Sequence, residues 1–442
     1  MWPTRRSVWL LAAGVPVALL PGVADGRLWP LWLVALLGVV VAAALDAILG
    51  LPRRRLRITA DAPGELFIGD RDSAVLHVIG RGWRRPVTLE AVIETDPILA
   101  PVPPQTITLA RAPGATHAAT DHAIDVEPRR RGNARLIAVH ARWTGPLGLV
   151  ERRLVVKLGA AIKVVPNIGS VRAIALRMLG SPEVAAGLKV ERYLGDGTEF
   201  ESLREYLPGL DHRAIDWKQS ARHRKLLTQE FRAERNHQVV IAIDGGQLMA
   251  EPLAGIPRLD HAINASLLLG WFCLRTGDRV GFASFDERLR SWAEPMAGAG
   301  AFPRLRHLTA DVAYRAVDTN FTLAVAELST RLRRRSLIVL FTEVLDTISA
   351  ELMIENVTRL ARRHLVMFVS LRDPGVEARM HAVPATLTTM TEAVVAGDFD
   401  RERSLVFERL RQVGVHCIDT TPDRFSMAVI NRYLAVKRRE LF

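Results

Sequence analysis

The residues best equipped for chemistry lie between Gly195 and Phe231, in GDGTEFESLREYLPGLDHRAIDWKQSARHRKLLTQEF. Glu199, Glu205, Asp211 and Asp216 supply carboxylates, Arg204, Arg213, Lys218 and Arg222 supply cations, and Ser220 precedes His223 by three residues. A serine near a histidine suggests nucleophilic catalysis, but this pair has no evident acid to orient the imidazole. Charged residues beside aromatics more often form satisfied ion pairs than reacting groups. The stretch therefore reads as a clasp between two domains, with Tyr206 and Trp217 as buried anchors and Arg204, Arg213 and Asp216 as paired charges; an active site is the alternative. Elsewhere the sequence has no phosphate loop G-x-x-x-x-G-K-[ST], no H-E-x-x-H, no C-x-x-C and no G-x-S-x-G. Its 12 histidines are scattered, so no catalytic residue is assigned.

The elements that must position these groups follow from local rules. Pro208 fixes φ at the first corner of a turn and Gly209 allows a positive φ at the second. Asp211 is placed to cap a helix whose apolar face is Ala214, Trp217 and Ala221, at spacing i, i+3, i+7. At these residues the chain closely resembles the bacterial domain-of-unknown-function family number fifty-eight. That family's signature is G-x-G-x-E-F-x-x-L-R-E-Y-x-P-G-D, then R-x-I-D-W-K-x-S-A-R. It is matched by Gly195, Gly197, Glu199, Phe200, Leu203, Arg204, Glu205, Tyr206, Pro208, Gly209, Arg213, Ile215, Asp216, Trp217, Lys218, Ser220, Ala221 and Arg222. The departure is Leu210, where the family usually has an acid; here Asp211 stands one position later.

Composition bounds the remainder. A chain of 442 residues with 49% hydrophobic residues is long enough for two soluble domains and an anchor. The net charge of +12 is carried mostly by arginine, which suits anionic lipid or a GC-rich genome. Aromatics are only 6% and are not interleaved with the basic runs, so no nucleic-acid partner is expected. Cys273 and Cys417 lie far apart in apolar stretches, as expected of buried thiols in a reducing compartment.

Ser7–Ala24 and Leu28–Leu45 are each uncharged over 18 residues, ~27 Å as helix, enough to cross a hydrocarbon core. They predict a transmembrane hairpin over residues 1–52, making the protein a multi-pass protein of the bacterial inner membrane. A cleaved signal peptide ending at Gly22-Val23-Ala24 is the alternative. Arg53, Arg54, Arg55 and Arg57 follow the second span, and positive residues stay cytoplasmic, so the soluble domains are expected in the cytoplasm.

Residues 55–166 show short alternating runs split by Gly, Pro and Asp, which predicts a β-sandwich. Residues 167–236 hold the family motif as an inter-domain linker. From residue 237 to 442 near-continuous apolar runs (QVVIAID, RVGFASF, SLIVLFT, HLVMFVSL) alternate with helical patterns, predicting a doubly wound α/β domain. This order is similar to that of von Willebrand factor A domains. The resemblance implies a Mg²⁺ site at the sheet's carboxyl edge built from D-x-S-x-S, a threonine and an aspartate, oxygen ligands suited to that hard cation. Here Asp244 is kept, Gly246 and Leu248 replace the two serines, and Thr319 and Glu343 align with the other positions. The expectation is a degenerate metal remnant with no cofactor.

The family resemblance implies a partner as well, because its members are commonly encoded beside MoxR-type AAA+ ATPases. The function expected from all this is a membrane-anchored, cytosol-facing adaptor or scaffold and not an enzyme. An enzyme of envelope metabolism using Gly195 to Arg222 is the alternative from another class. A binder of anionic lipid or nucleic acid, driven by the net charge, is a third.

Overall fold

The computed structural model describes residues 2–24, 29–113, 115–167, 194–206, 215–232, 237–344, 347–383 and 385–439. The chain forms two compact units, Met1–Pro166 and Asn167–Phe442.

In the first unit a two-residue strand β1 (Trp2–Pro3) leads into helices α1 (Arg5–Ala24) and α2 (Trp29–Leu49). Then follow β2 (Leu56–Asp61), β3 (Glu65–Phe67), β4 (Asp72–Gly80), β5 (Val87–Thr95), β6 (Gln105–Leu109), β7 (Ala118–Val126), β8 (Gly132–Thr144) and β9 (Val150–Val165). One sheet has the order β1-β9-β8-β5-β6 with β3 also on β9, and the other has β2-β4-β7. Alternate residues point inward, as in β4, where Ala74, Leu76 and Val78 are buried between more exposed neighbours. A period of two with one apolar face is what half-buried antiparallel sheet requires.

The expected fold class, two N-terminal transmembrane helices, a β-sandwich and a doubly wound von Willebrand factor A-like domain, is corrected. Among the described residues one helix, Trp32–Arg55, is long and apolar enough to cross a membrane; it takes in α2 and the turn after it. The N-terminal unit is otherwise mostly strand, and a multi-pass topology has no support. The sequence shows the physical difference: α1 opens on Arg5 and Arg6 and carries Pro16 and Pro21, whereas α2 meets no charge before Asp46. Proline removes a helix donor and arginine is costly in hydrocarbon, so the first segment is the poorer span.

Both helices are fixed to the strands. The Thr4 amide donates to the Leu149 carbonyl at 3.0 Å. Asp46, fully buried near the end of α2, accepts from the amides of Leu147, Leu149 and Val150 at 2.6, 2.8 and 2.8 Å. A Cβ at Gly145 would overlap the Asp46 carboxylate, so the β8–β9 turn needs glycine there to come this close. Arg152 donates to the Leu51 carbonyl at 2.6 Å and also to that of Ala47, while the Trp143 indole N–H donates to Leu51 at 3.0 Å. The carbonyls left open at the end of α2 are thus satisfied by side chains of the sheet.

In the second unit β10 (Leu194–Glu205) pairs antiparallel with β11 (Leu227–Arg232), and a short helix α3 (Trp217–His223) precedes β11. Next come β12 (Gln238–Asp244), α4 (Gln247–Ala250), a hairpin of β13 (Pro252–Leu253) and β14 (Ile256–Pro257), α5 (Arg258–Arg275), β15 (Arg279–Phe285) and β16 (Leu289–Met296). The remaining elements are α6 (Phe302–Ala310), α7 (Phe321–Arg331), β17 (Leu337–Phe341), α8 (Thr347–Ala361), β18 (Leu365–Leu371), α9 (Pro374–Met380), α10 (Leu387–Gln412), β19 (His416–Thr420) and α11 (Phe425–Arg438). The six-stranded sheet has the order β16-β15-β12-β17-β18-β19, parallel throughout except for β16.

Apolar residues on both faces of these strands divide the core in two. Val239, Ile241 and Ile243 of β12 pack with Phe272 of α5 and with Val429 and Tyr433 of α11. Val240 and Ala242, pointing the other way, share a cluster with Leu328 of α7, Val357 of α8 and Phe407 of α10. Helices therefore cover both faces, which explains why the strand sequences are apolar without alternation.

Candidate functional site

The carboxyl ends of β12 and β17 bring Asp244, Thr342 and Glu343 to one edge of the sheet. The loop before α7 adds Thr319. Ligands of open parallel sheets bind outside this edge, and a cavity of about 720 Å³ opens here, lined by Asp244, Leu248, Asp318, Thr319, Phe321, Val344 and Met353 among others.

Asp244 is buried and saturated with donors. Its Oδ1 accepts from the Gly246 amide at 2.8 Å and from Thr319 Oγ1 at 2.6 Å, and its Oδ2 accepts from Thr342 Oγ1 at 2.6 Å. Burial pushes the carboxyl above its ordinary range, against the pull of these three hydrogen bonds. Position 246 must be glycine for this arrangement, because a Cβ there would overlap Thr319 Oγ1.

Glu343 has a different fate. Its carboxylate meets Arg258 Nη1 at 3.0 Å, Arg403 Nη1, and Ser370 Oγ at 2.6 Å. Arg403 continues to Asp419 at 2.9 Å and to Ser370 at 2.5 Å. Burial opposes the charge on Arg403, and its two carboxylate partners outweigh that and hold its pKa up. A nearby third carboxylate, Asp286, receives Arg290 Nε on both oxygens at 2.7 Å.

These residues do not fit a Mg²⁺ site. A hard divalent cation calls for several oxygen ligands, usually including anionic ones. Glu343 and Asp286 are each neutralised by arginine, the space of the missing serine at 246 is filled by Thr319, and a single carboxylate without an arginine partner, Asp244, remains among them. Among the described residues no group of three or more His, Cys, Asp or Glu could hold a metal ion. The structure thus brings Asp244 and Thr319 together and gives Glu343 to an ion-pair network. Sequence reasoning missed Thr342, Arg258 and Arg403. Thr342 could have been found as the hydroxyl ending an apolar strand; the arginines, distant in sequence, leave no local sign.

The motif's second half is described and its first half only in part. Glu199, Phe200 and Arg204 lie in β10, where Phe200 pairs with Phe231 and Arg204 with Thr228. Gly195 and Gly197 fall in the same strand, and Pro208, Gly209 and Arg213 lie outside the described residues. Tyr206 is half-buried, its amide donating to the Leu226 carbonyl at 2.8 Å. Asp216 is an N-cap, accepting from the amides of Lys218 and Gln219 at 3.0 Å each. Ser220 is buried and ties α3 to β11: its Oγ accepts from the Leu227 amide at 2.8 Å and donates to the Leu227 carbonyl at 3.3 Å. Its proton is therefore directed at a backbone oxygen. Trp217 is 68% exposed and not a buried anchor. The turn of α3 that buries Ser220 leaves Trp217, Lys218 and Arg222 in solvent.

Residues 202–396 match the family model of DUF58, described as a protein of unknown function. No curated protein matches the chain. Among solved structures, BatB from Bacteroides thetaiotaomicron, a conserved hypothetical protein, is 14% identical, with 45% of this chain and 98% of that one covered and a TM-score of 0.26. An uncharacterised membrane-spanning protein from Vibrio fischeri is 13% identical over the same shares, at 0.17. The CARDB domain of the PF1109 protein from Pyrococcus furiosus, solved with di-metal ions, is 13% identical over 25% of this chain and 87% of that one, at 0.18. Likenesses this slight carry no inference, and the von Willebrand factor A assignment gains nothing from them.

Proposed function

We propose that this protein is a membrane-anchored, cytosol-facing adaptor and not an enzyme, and that it works with a MoxR-type AAA+ ATPase. The observation that carries the reading is the carboxyl-edge cavity. Its inner carboxylates are already saturated by threonine and arginine, while its lip is apolar, with Phe321, Met353 and the 64% exposed Leu352, beside the acids Glu287 and Asp318. Such a lining suits an apolar side chain flanked by a cation from a partner protein, with few groups poised for proton transfer.

An adaptor needs a second surface for its client, and α10 supports one. Leu387, Met390 and Val394 are exposed at spacing i, i+3, i+7 on its first half, preceded by Val383. An apolar stripe left in water is more often an interface than a stable surface. The anchor is the Trp32–Arg55 helix, and the arginines at 53, 54, 55 and 57 place the units on the cytoplasmic side.

The test is purification of the full chain from native membranes with and without ATP, assaying the eluate for an AAA+ ATPase. Wild type should retain the ATPase in a nucleotide-dependent manner, and Leu352→Glu should lose it with an unchanged melting temperature. Retention by Leu352→Glu equal to wild type would remove the cavity from the interface.

A further inference from the structure

The exposed face of α3 and the turn after it combines one large aromatic with a concentration of positive charge. From Ile215 to Leu226 the cations are Lys218, Arg222, Arg224 and Lys225, against the single acid Asp216. All four cations are exposed, as are Trp217, His223 and Leu226. The one acid facing them from the neighbouring strand is Glu205, 3.7 Å from Lys225 Nζ with both side chains 65% exposed, a separation at which a solvated pair holds neither partner firmly.

The platform under these side chains is fixed. The Asp216 cap closes the start of α3, the Ser220 hydroxyl bonds both backbone groups of Leu227, and the Lys225 amide returns to the Ser220 carbonyl at 3.3 Å. Arg224 takes a left-handed conformation, φ 55°, so the chain turns sharply and presents Lys225 and Leu226 beside the helix. Cations at a helix C-terminus complement its dipole. That accounts for Arg222 and His223, but not for a tryptophan left in water at the other end or for cations beyond the turn.

We infer that this α3 surface docks on a bilayer carrying anionic lipid headgroups, Trp217 and Leu226 entering the headgroup region while Lys218, Arg222, Arg224 and Lys225 meet phosphates. Indole prefers the membrane–water interface, and cations near an anionic leaflet are drawn to it over about a Debye length. The charge complementarity is supported by the chain's own apolar helix, which would keep such a surface close at hand. The inference is independent of the adaptor reading, since it uses neither the cavity nor α10.

The two native cysteines permit a clean test on the full chain. Both are buried, and burial raises the Cys273 thiol well above its usual range and the Cys417 thiol to about 11, so a cysteine introduced at exposed His223 labels selectively. His223→Cys carrying an NBD dye is reconstituted in phosphatidylcholine bilayers with and without phosphatidylglycerol. Emission should shift to the blue and brighten only with phosphatidylglycerol, and high salt should reverse it. Lys218→Gln with Arg222→Gln should raise by about twofold the phosphatidylglycerol fraction needed for half the response. Trp217→Ser should reduce the response at unchanged melting temperature. Identical spectra in both bilayers would overturn the inference. So would a response to duplex RNA in neutral bilayers without one to phosphatidylglycerol, or a lowered melting temperature in Trp217→Ser, which would make the indole structural.

Discussion

Thr319 Oγ1 donates to Asp244 Oδ1 at 2.6 Å, in the space that a side chain at position 246 would need. Two residues 75 positions apart thus close over a glycine, and the closed pair occupies the place where the sequence pattern put metal ligands. Gly246→Ala should therefore be destabilising by about 1–3 kcal/mol, because Thr319 must rotate away and leave a buried acceptor. In a Thr319→Ala background the same change should cost less, a coupling of about 1 kcal/mol by double-mutant cycle. Millimolar Mg²⁺ should leave the melting temperature of the wild type unmoved, since only binding to the native state raises it. Additive costs, or a clear Mg²⁺ shift lost in Asp244→Ala, would show that the edge still takes a cation.

Asp244 links the site to pH. Burial raises its folded pKa above the unfolded value, so its contribution to stability is fully present below the ordinary carboxylate range of about 4 and is lost as pH rises through the folded pKa. Asp244→Asn cannot ionise and should lack that loss. The stability of the variant relative to wild type should rise between the ordinary range and neutrality, measured by urea titration at successive pH values; a constant difference would exclude the linkage.

Arg403 is the centre of a buried network, touching Glu343, Asp419 and Ser370. Arg403→Ala leaves buried carboxylates with one cation fewer, at a cost of about 3–5 kcal/mol. Arg403→Lys should recover only part, because an ammonium lacks the planar fork that reaches two carboxylates and a hydroxyl. Chemical denaturation reads both, and a loss below about 1 kcal/mol for the alanine variant would mean that water replaces the guanidinium.

Asp46 holds three amides of the β8–β9 turn. Asp46→Ala should strand them, at about 1–3 kcal/mol for each amide that water does not reach. Limited proteolysis should then cut near the exposed Leu147, while wild type resists. Equal cleavage of both proteins would show that the helix end and the turn are not coupled.

The strands of the large sheet were legible because burial on both faces leaves a mark in sequence: the apolar runs at 238–244, 279–285, 337–341 and 365–371 form strands. Asp216 carried a readable sign too, since an acid ahead of a short helix is a cap by local geometry alone. Asp46 could have been noticed as a lone acid ending an apolar run, a pattern that usually marks a specific partner. The second membrane span was misjudged because a count of uncharged residues overlooks prolines and the arginines that open α1. Trp217 was misjudged because its apolar spacing with Ala214 and Ala221 says which residues share a face, not whether anything covers it.

By itself the sequence determined what depends on neighbours along the chain: strand and helix periodicity, the capping of α3, and the loss of two hydroxyls at positions 246 and 248. The tertiary structure alone decided what depends on residues far apart. Thr319 and Thr342 saturate Asp244, and Arg258 and Arg403 neutralise Glu343, while Trp217 and its neighbouring cations remain in solvent. The reason is physical: whether a carboxylate is a ligand, an acid or half of an ion pair is set by donors and dielectric within a few ångströms, and those are assembled only when the sheet brings its strand ends together.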